Sequence, residues 1–328
     1  MQISRRRFVL YAVGAILGPH ARAAPPNRIV RIGLVMTEYP FVTAAALDSV
    51  VEGLREQGYV AGKNLVLVTR TASFPDGPMR VNVEEILAMK PDVVVAGCGW
   101  STSVMLRMTK TVPIVMVAAS DPVGRGWVPS LARPGANVTG VSGMMTELPA
   151  KMLDHLRLLL PELKAVGIGL NTRVDTHKNI LREVETTARM LGVRVVPIDL
   201  NPLTTTALMR DALHASGVQA IMNIPDDNLF WASVDRIIAA SNELRLPLAT
   251  FRSDFAEQGA LMSYGANPRV LFKRTAAYVD RILNGASPGQ LPVELPSQLE
   301  FGINLKQAEV LGITIPRAVL MQANTLIK

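Results

Sequence analysis

A regular alternation of apolar and amphipathic runs constrains this 328-residue chain more than any other feature. IVRIGLVM (29–36) is short and apolar. FVTAAALDSVVEGLREQG (41–58) repeats its apolar positions at helical spacing and stops at Gly58. NLVLVTRTA (64–72), VNVEEILAMK (81–90), DVVVAG (92–97), STSVMLRMTK (101–110, with Ser101 or Thr102 placed to cap it) and VPIVMVAA (112–119) continue the alternation of strand and helix. Near-continuous Val/Ile runs imply strands buried on both faces, the condition of a parallel sheet covered by helices on each side.

The passage SDPVGRGWVPSLARPGANVTGVSG (120–143) interrupts this pattern with five glycines and three prolines. The alternation then restarts: TELPAKMLDHLRLLLP (146–161), KAVGIGLN (164–171), NILREVETTARMLG (179–192), VRVVPIDL (193–200) and so on to LPLATF (246–251). Two β/α repeats joined by a Gly/Pro-rich passage predict two similar lobes, with 120–143 as an interlobe crossing. Beyond them lie a short strand ALMSYG (260–265), a long amphipathic helix (268–285) and a proline-bearing extended stretch (287–304) suited to running between lobes.

The first 23 residues have a basic start, an apolar run from Phe8 to Leu17 and a small-x-small site at Ala21–Ala23, the form of a cleaved secretory signal. Ser4–Phe8 fits the twin-arginine variant. The apolar run is about ten residues against the roughly 20 a membrane span needs, so cleavage near Ala23 and a soluble, periplasmic mature chain are expected. Four of the 34 basic residues leave with this segment, and the remaining 30 nearly balance 27 acids. No basic block is left to favour nucleic acid. Cys98 is the sole cysteine, which excludes an intrachain disulfide and a cysteine-based metal centre.

In parallel α/β sheets ligands sit beyond the carboxyl ends of strands, where helix N-termini offer N–H groups. The residues that follow the strands are therefore the candidates: Thr37 and Tyr39; Trp100, Ser101 and Thr102; Asp121; Asn171; Asp226 and Asp227; and Arg252. They supply hydroxyls for a carboxylate, acids for an ammonium, and aromatic walls. Such a set suits small-molecule recognition better than catalysis. Gly97-x-Gly99 after a strand imitates a dinucleotide loop, but the third glycine position holds Thr102. The histidines lack metal-ligand spacing, and no nucleophile elbow or phosphate loop appears. No cofactor, metal or enzymatic activity is expected.

GLREQGYVAGKNLVL (53–67), PDVVVAG (91–97), SDPVGRGWVPSLARPGANVTGVSG (120–143), GALMSYG (259–265), AAYVDRILNGASPGQLPVELP (276–296) and FGINLKQAEVLGITIP (301–316) resemble the substrate-binding proteins of ABC transporters, in the group that includes tryptophan-binding lipoprotein-like receptors. The resemblance implies a type I periplasmic-binding fold: two Rossmann-like α/β lobes, three crossings, and a ligand held in the cleft by hinge closure. Together with the repeat pattern it divides the chain into a first lobe of 28–120 with 254–285 and a second of 140–250 with 295–328. The crossings are then 121–139, 251–253 and 286–294. It implies an amino-acid-like, often aromatic ligand, its carboxylate on Ser101 and Thr102, its ammonium on Asp227 or Asp226, and its side chain between Tyr39 and Trp100. Trp100 and Arg252 depart from many relatives and open the way to a different carboxylate. The implied partner is an ABC permease and ATPase at the inner membrane, served by a monomeric receptor. A periplasmic sensor feeding a signalling or chemotaxis receptor is the alternative.

Overall fold

The computed structural model describes residues 28–38, 40–73, 77–144, 146–173, 175–223 and 228–328. The expected signal segment lies outside them, as do Tyr39, Asp226 and Asp227. Among the described residues no helix is long and apolar enough to cross a membrane.

Two sheets organise the chain. The first holds β1 (Val30–Thr37), β2 (Leu65–Ala72), β3 (Val93–Ala96), β4 (Ile114–Ala119) and β5 (Val138–Ser142), all parallel, in the order β2-β1-β3-β4-β5. Side chains alternate across it. Ile32, Leu34, Val93 and Val95 pack under α1 (Pro40–Glu56) and α9 (Pro268–Leu283), while Val35, Val94, Ile114 and Met116 pack under α2 (Met79–Ala88) and α3 (Gly99–Met108). Both faces are thus dry, as the continuous Val/Ile runs predict.

The second sheet holds β6 (Ala165–Leu170), β7 (Arg194–Asp199), β8 (Ala220–Asn223), β9 (Leu248–Thr250), β10 (Met262–Gly265), β11 (Glu300–Asn304) and β12 (Thr325–Ile327). Their order is β12-β11-β10-β9-β8-β6-β7, parallel except for the antiparallel β10–β11 pair. One face carries α4 (Leu148–Leu159), α5 (Asp175–Leu191), α10 (Leu305–Leu311) and α11 (Arg317–Leu320). The other carries α6 (Thr206–Ser216), α7 (Asn228–Glu243) and α8 (Ser253–Glu257).

The lobes differ in three places from the division expected from sequence. Val138–Ser142 is not a crossing but the edge strand of the first sheet, paired Ile114–Val138 through Val117–Val141. Residues 253–265 belong to the second lobe, because Met262 pairs with Ala249 on one side and with Ile303 on the other. The chain therefore crosses at 143–147, at Ala266–Asn267 and at 295–299. The third crossing starts late because Glu294 still pairs with the first lobe, taking N–H···O bonds of 3.0 Å to Gly140 and 2.8 Å from Ser142. The stretch expected to be wholly extended also contains one 3-10 turn, Pro288–Gln290.

Candidate functional site

The carboxyl ends of β1, β3 and β4 lie side by side and bring Thr37, Trp100, Ser101, Thr102 and Asp121 to one rim of the first lobe. The local chemistry differs from the expected one. Cys98, not Ser101 or Thr102, is the N-cap of α3: its backbone is extended, its Sγ accepts from Ser101 N–H at 3.4 Å, and Ser101 Oγ accepts from Cys98 N–H at 3.2 Å. The hydroxyls of Ser101 and Thr102 donate back to the Cys98 carbonyl at 3.0 and 2.8 Å, and both residues are fully buried. Their hydroxyl protons therefore serve the helix turn here and are not directed at a ligand. Thr37 Oγ1 lies 3.2 Å from Cys98 Sγ and ties β1 to the same turn. Asp121, at φ 41°, accepts from Gly124 N–H at 2.7 Å and closes a tight turn.

Two residues from that turn were missed by sequence reasoning, which read 120–143 only for its glycines and prolines. The guanidinium of Arg125 sits 5.4 Å over the Trp127 ring and donates Nε–H to Ser120 O at 3.2 Å. Trp127 and Trp100 are both half-buried at the edge of the α2/α3 cluster.

On the second lobe, Asn171 follows β6 inside a loop network. Its N–H donates to Nδ1 of the buried His177 at 2.8 Å, and its Oδ1 accepts from Arg173 N–H and Asn201 Nδ2–H at 3.1 and 2.9 Å. Asn201 also donates to Asp199, as does Thr172. Burial pushes the Asp199 carboxyl up, but these hydrogen bonds outweigh it and hold the group below the usual carboxylate range. Asn171 is thereby a positioned loop residue. Asn223 and Thr250, the last residues of β8 and β9, are each 1% exposed. The pairs Ile221–Leu248 and Met222–Ala249 set them side by side on one face of the sheet. Among the described residues, neither amide atom of Asn223 nor Oγ1 of Thr250 has a hydrogen-bond partner. Buried polar groups of this kind cost about 1–3 kcal/mol each. The signal for them in sequence was a polar residue closing an apolar run, QAIMN and LPLAT.

Both lobes meet at Arg252. It lines a cavity of about 240 Å³ together with Ser253, Asp254 and Glu257 of the second lobe, Ala45, Ala46 and Phe272 of the first, and Asn267, Pro268 and Arg269 where the chain crosses. Arg252 is 7% exposed. Its Nε–H donates to both Asp254 carboxylate oxygens, at 2.9 and 3.2 Å, and Nη2 closes a second contact with Oδ2. The guanidinium lies 5.7 Å over the Phe255 ring. Small Ala side chains on one wall and an Arg–carboxylate pair on the other make a space for a compact, charged solute. The volume lies just below the range of about 300–1,000 Å³ usual for pockets that hold drug-sized ligands.

Comparison with known proteins agrees with this architecture. The family of ABC transporter substrate binding proteins matches residues 35–327. A tyrosine-binding protein of Clostridioides difficile (strain R20291) is 26% identical over 270 residues, covering 82% of this chain and 76% of that protein. The crystal structure of a conserved domain protein from Vibrio cholerae shares 27% identity and superposes with a TM-score of 0.81 over 91% of this chain and all of that one. An ABC domain from Streptococcus pneumonia, solved with L-Trp, shares the fold at 24% identity and a TM-score of 0.79, again over 91% of this chain and all of that one. Two parallel-sheet lobes joined by three crossings are the type I periplasmic-binding architecture, and the match spans nearly all of the described residues. The chain belongs to the ABC transporter substrate binding protein family.

Proposed function

We propose that this protein is the extracytoplasmic solute receptor of an ABC importer and captures an amino-acid-like, preferably aromatic, ligand between its lobes. The observation that carries the reading is the cavity walled by both lobes with the buried Arg252 in it. A cation desolvated at the meeting point of two lobes favours a ligand with a carboxylate. The tyrosine-binding relative supports an aromatic amino acid as the first choice. Thr37, Trp100, Asp121 and Asn171 would shape the rim, with Ser101 and Thr102 holding the α3 turn. Tyr39 and the acids Asp226 and Asp227 are proposed ligand contacts from the family resemblance alone. The receptor would be exported through its N-terminal signal, act as a monomer, present its closed form to a permease and ATPase, and perform no catalytic step.

A thermal-shift screen of the purified protein against the amino acids, aromatic carboxylates and dicarboxylates tests this. A ligand at about 100 times its dissociation constant stabilises the native state by about 2.7 kcal/mol. An upward shift with tyrosine or tryptophan is the expected result. A flat response to every amino acid would remove the reading.

A further inference from the structure

A second cavity, of about 390 Å³, lies at the crossings themselves. Ala266 and Asn267 of the second crossing and Leu295 and Pro296 of the third line it, with Val141 and α9 of the first lobe and Glu300 at the start of β11. Its volume falls within the range of about 300–1,000 Å³ usual for small-molecule pockets. Buried Val141, Ala266 and Leu271 and exposed Val270 and Leu295 make the lining mainly apolar. Helix α9 divides this space from the interlobe cavity. Pro268, Arg269 and Phe272 line the interlobe cavity, and Val270, Leu271 and Arg274 line the second one. At about 3.6 residues per turn these triplets fall on opposite faces of the helix.

Asn267 lines both cavities. As the N-cap of α9 its Oδ1 accepts from Arg269 N–H at 2.9 Å, and its Nδ2–H donates to Glu300 Oε1, also at 2.9 Å. One side chain therefore joins the second crossing, the dividing helix and the second lobe. The charges of the second cavity do not balance. Arg274 and Glu294 satisfy each other through two contacts of 2.7 Å. Among the described residues Glu300 has only the neutral amide of Asn267 and no cation. An anion would have to displace Glu294 from Arg274, and a neutral molecule would cover Glu300 without replacing its water. An ammonium group matches the acid that is left over.

We propose that this hinge cavity is an effector site for a monoamine with an apolar body, whose binding favours the described arrangement of the lobes and so strengthens solute capture. The ammonium pairs with Glu300, and the apolar body covers Val270 and Leu295. Hinge segments absorb dihedral changes when lobes move, so a cavity built from two crossings keeps its shape in one arrangement only. A molecule that fits this shape shifts the population toward it. The coupling rests on the interlobe cavity being the solute site; the amine site itself does not.

Calorimetric titration of the purified protein with 2-phenylethylamine, 2-phenylethanol and 3-phenylpropionate tests the site. The amine should bind at least about tenfold more tightly than the alcohol or the acid, the worth of a hydrogen bond to a charged group. Glu300→Gln keeps an acceptor for Asn267 and should weaken the amine by a similar factor. Val270→Trp, at an exposed position, should fill the cavity and block the amine. Both variants should bind L-tyrosine as the unmodified protein does when no amine is present. Saturating amine should tighten L-tyrosine about fivefold or more in the unmodified protein, and in neither variant. Melting curves on each variant separate lost binding from lost folding. Equal binding of amine and alcohol would overturn the proposal, as would an amine indifferent to both substitutions. Competitive displacement of the amine by L-tyrosine would place it in the interlobe cavity and overturn the proposal as well. An amine that binds at Glu300 but leaves the affinity for L-tyrosine unchanged would overturn the coupling. If no amino acid binds at all, the receptor reading and the coupling both fail, while the three probes and Glu300→Gln still decide the amine site.

Discussion

Cys98 decides where α3 begins, and its thiol does so with a weak acceptor. Cys98→Ser should keep the reciprocal cap and leave stability unchanged or slightly raised, whereas Cys98→Ala should lose about 1 kcal/mol, a difference read by chemical denaturation. The sequence points to this turn but misplaces its cap by three or four residues, because Ser and Thr are the usual caps and a cysteine gives no such signal. That shift reverses the apparent role of Ser101 and Thr102. From the chain alone they are free hydroxyls after a strand; in the structure they donate to the Cys98 carbonyl. Arg252 was legible as a cation at the end of an apolar run. Its pairing with Asp254 was not weighed, since two residues apart in sequence says nothing of which way either side chain turns. Tyr59, deeply buried, donates its hydroxyl to Asp280 at 2.9 Å, and burial together with that contact pushes the phenol's ionisation upward. Tyr59→Phe should cost about 1.5–3 kcal/mol by thermal melting, as for other hydrogen bonds to a charged partner.

At the scale of elements, most strands and helices were readable, but Val138–Ser142 was read as part of a crossing and not as a strand, and the sheet that ALMSYG joins was hidden. NVTGVS and ALMSYG are short runs of the same kind as their neighbours, and membership is set by non-local pairing that no local pattern encodes. Gly140 shows the constraint on β5. It sits at φ 139°, and a Cβ there would overlap the carbonyl oxygen of Met116 on β4. Gly140→Ala should destabilise the protein by about 1–3 kcal/mol, and denaturant unfolding would measure it. Ala118, Asp121 and Met144 also have positive φ, which concentrates backbone strain where β4 and β5 hand the chain to the first crossing. The third crossing is clasped to α9 instead. Arg274 donates to both oxygens of Glu294 at 2.7 Å, and Tyr278 donates to the Pro292 carbonyl, also at 2.7 Å. Hydrogen bonding to Arg274 holds the Glu294 carboxyl below the ordinary glutamate value of 4.5. Because the folded value is the lower one, the clasp contributes fully above the ordinary value and is lost as pH falls through it toward the folded value. Melting curves of the unmodified protein and Glu294→Gln should therefore be fully separated above the ordinary value of 4.5 and draw together as pH falls below it. Parallel curves across that range would remove the clasp from the account.

Over the whole molecule, two lobes follow from the repeated alternation and the Gly/Pro-rich break, and the three passages between them from the family resemblance, so this level was the most legible. The boundaries moved because each crossing begins only where the last backbone pairing of its lobe ends, as Glu294 with Gly140 and Ser142 illustrates. A cavity bounded by both lobes changes shape when they move, so ligand and interlobe angle are coupled. Small-angle X-ray scattering of the purified protein, with and without saturating L-tyrosine, tests this central claim most directly. The account predicts that the radius of gyration falls on ligand addition as the lobes close, and that Arg252→Gln abolishes the change. A tyrosine that binds and stabilises the protein while leaving the scattering curve unaltered would contradict capture between the lobes.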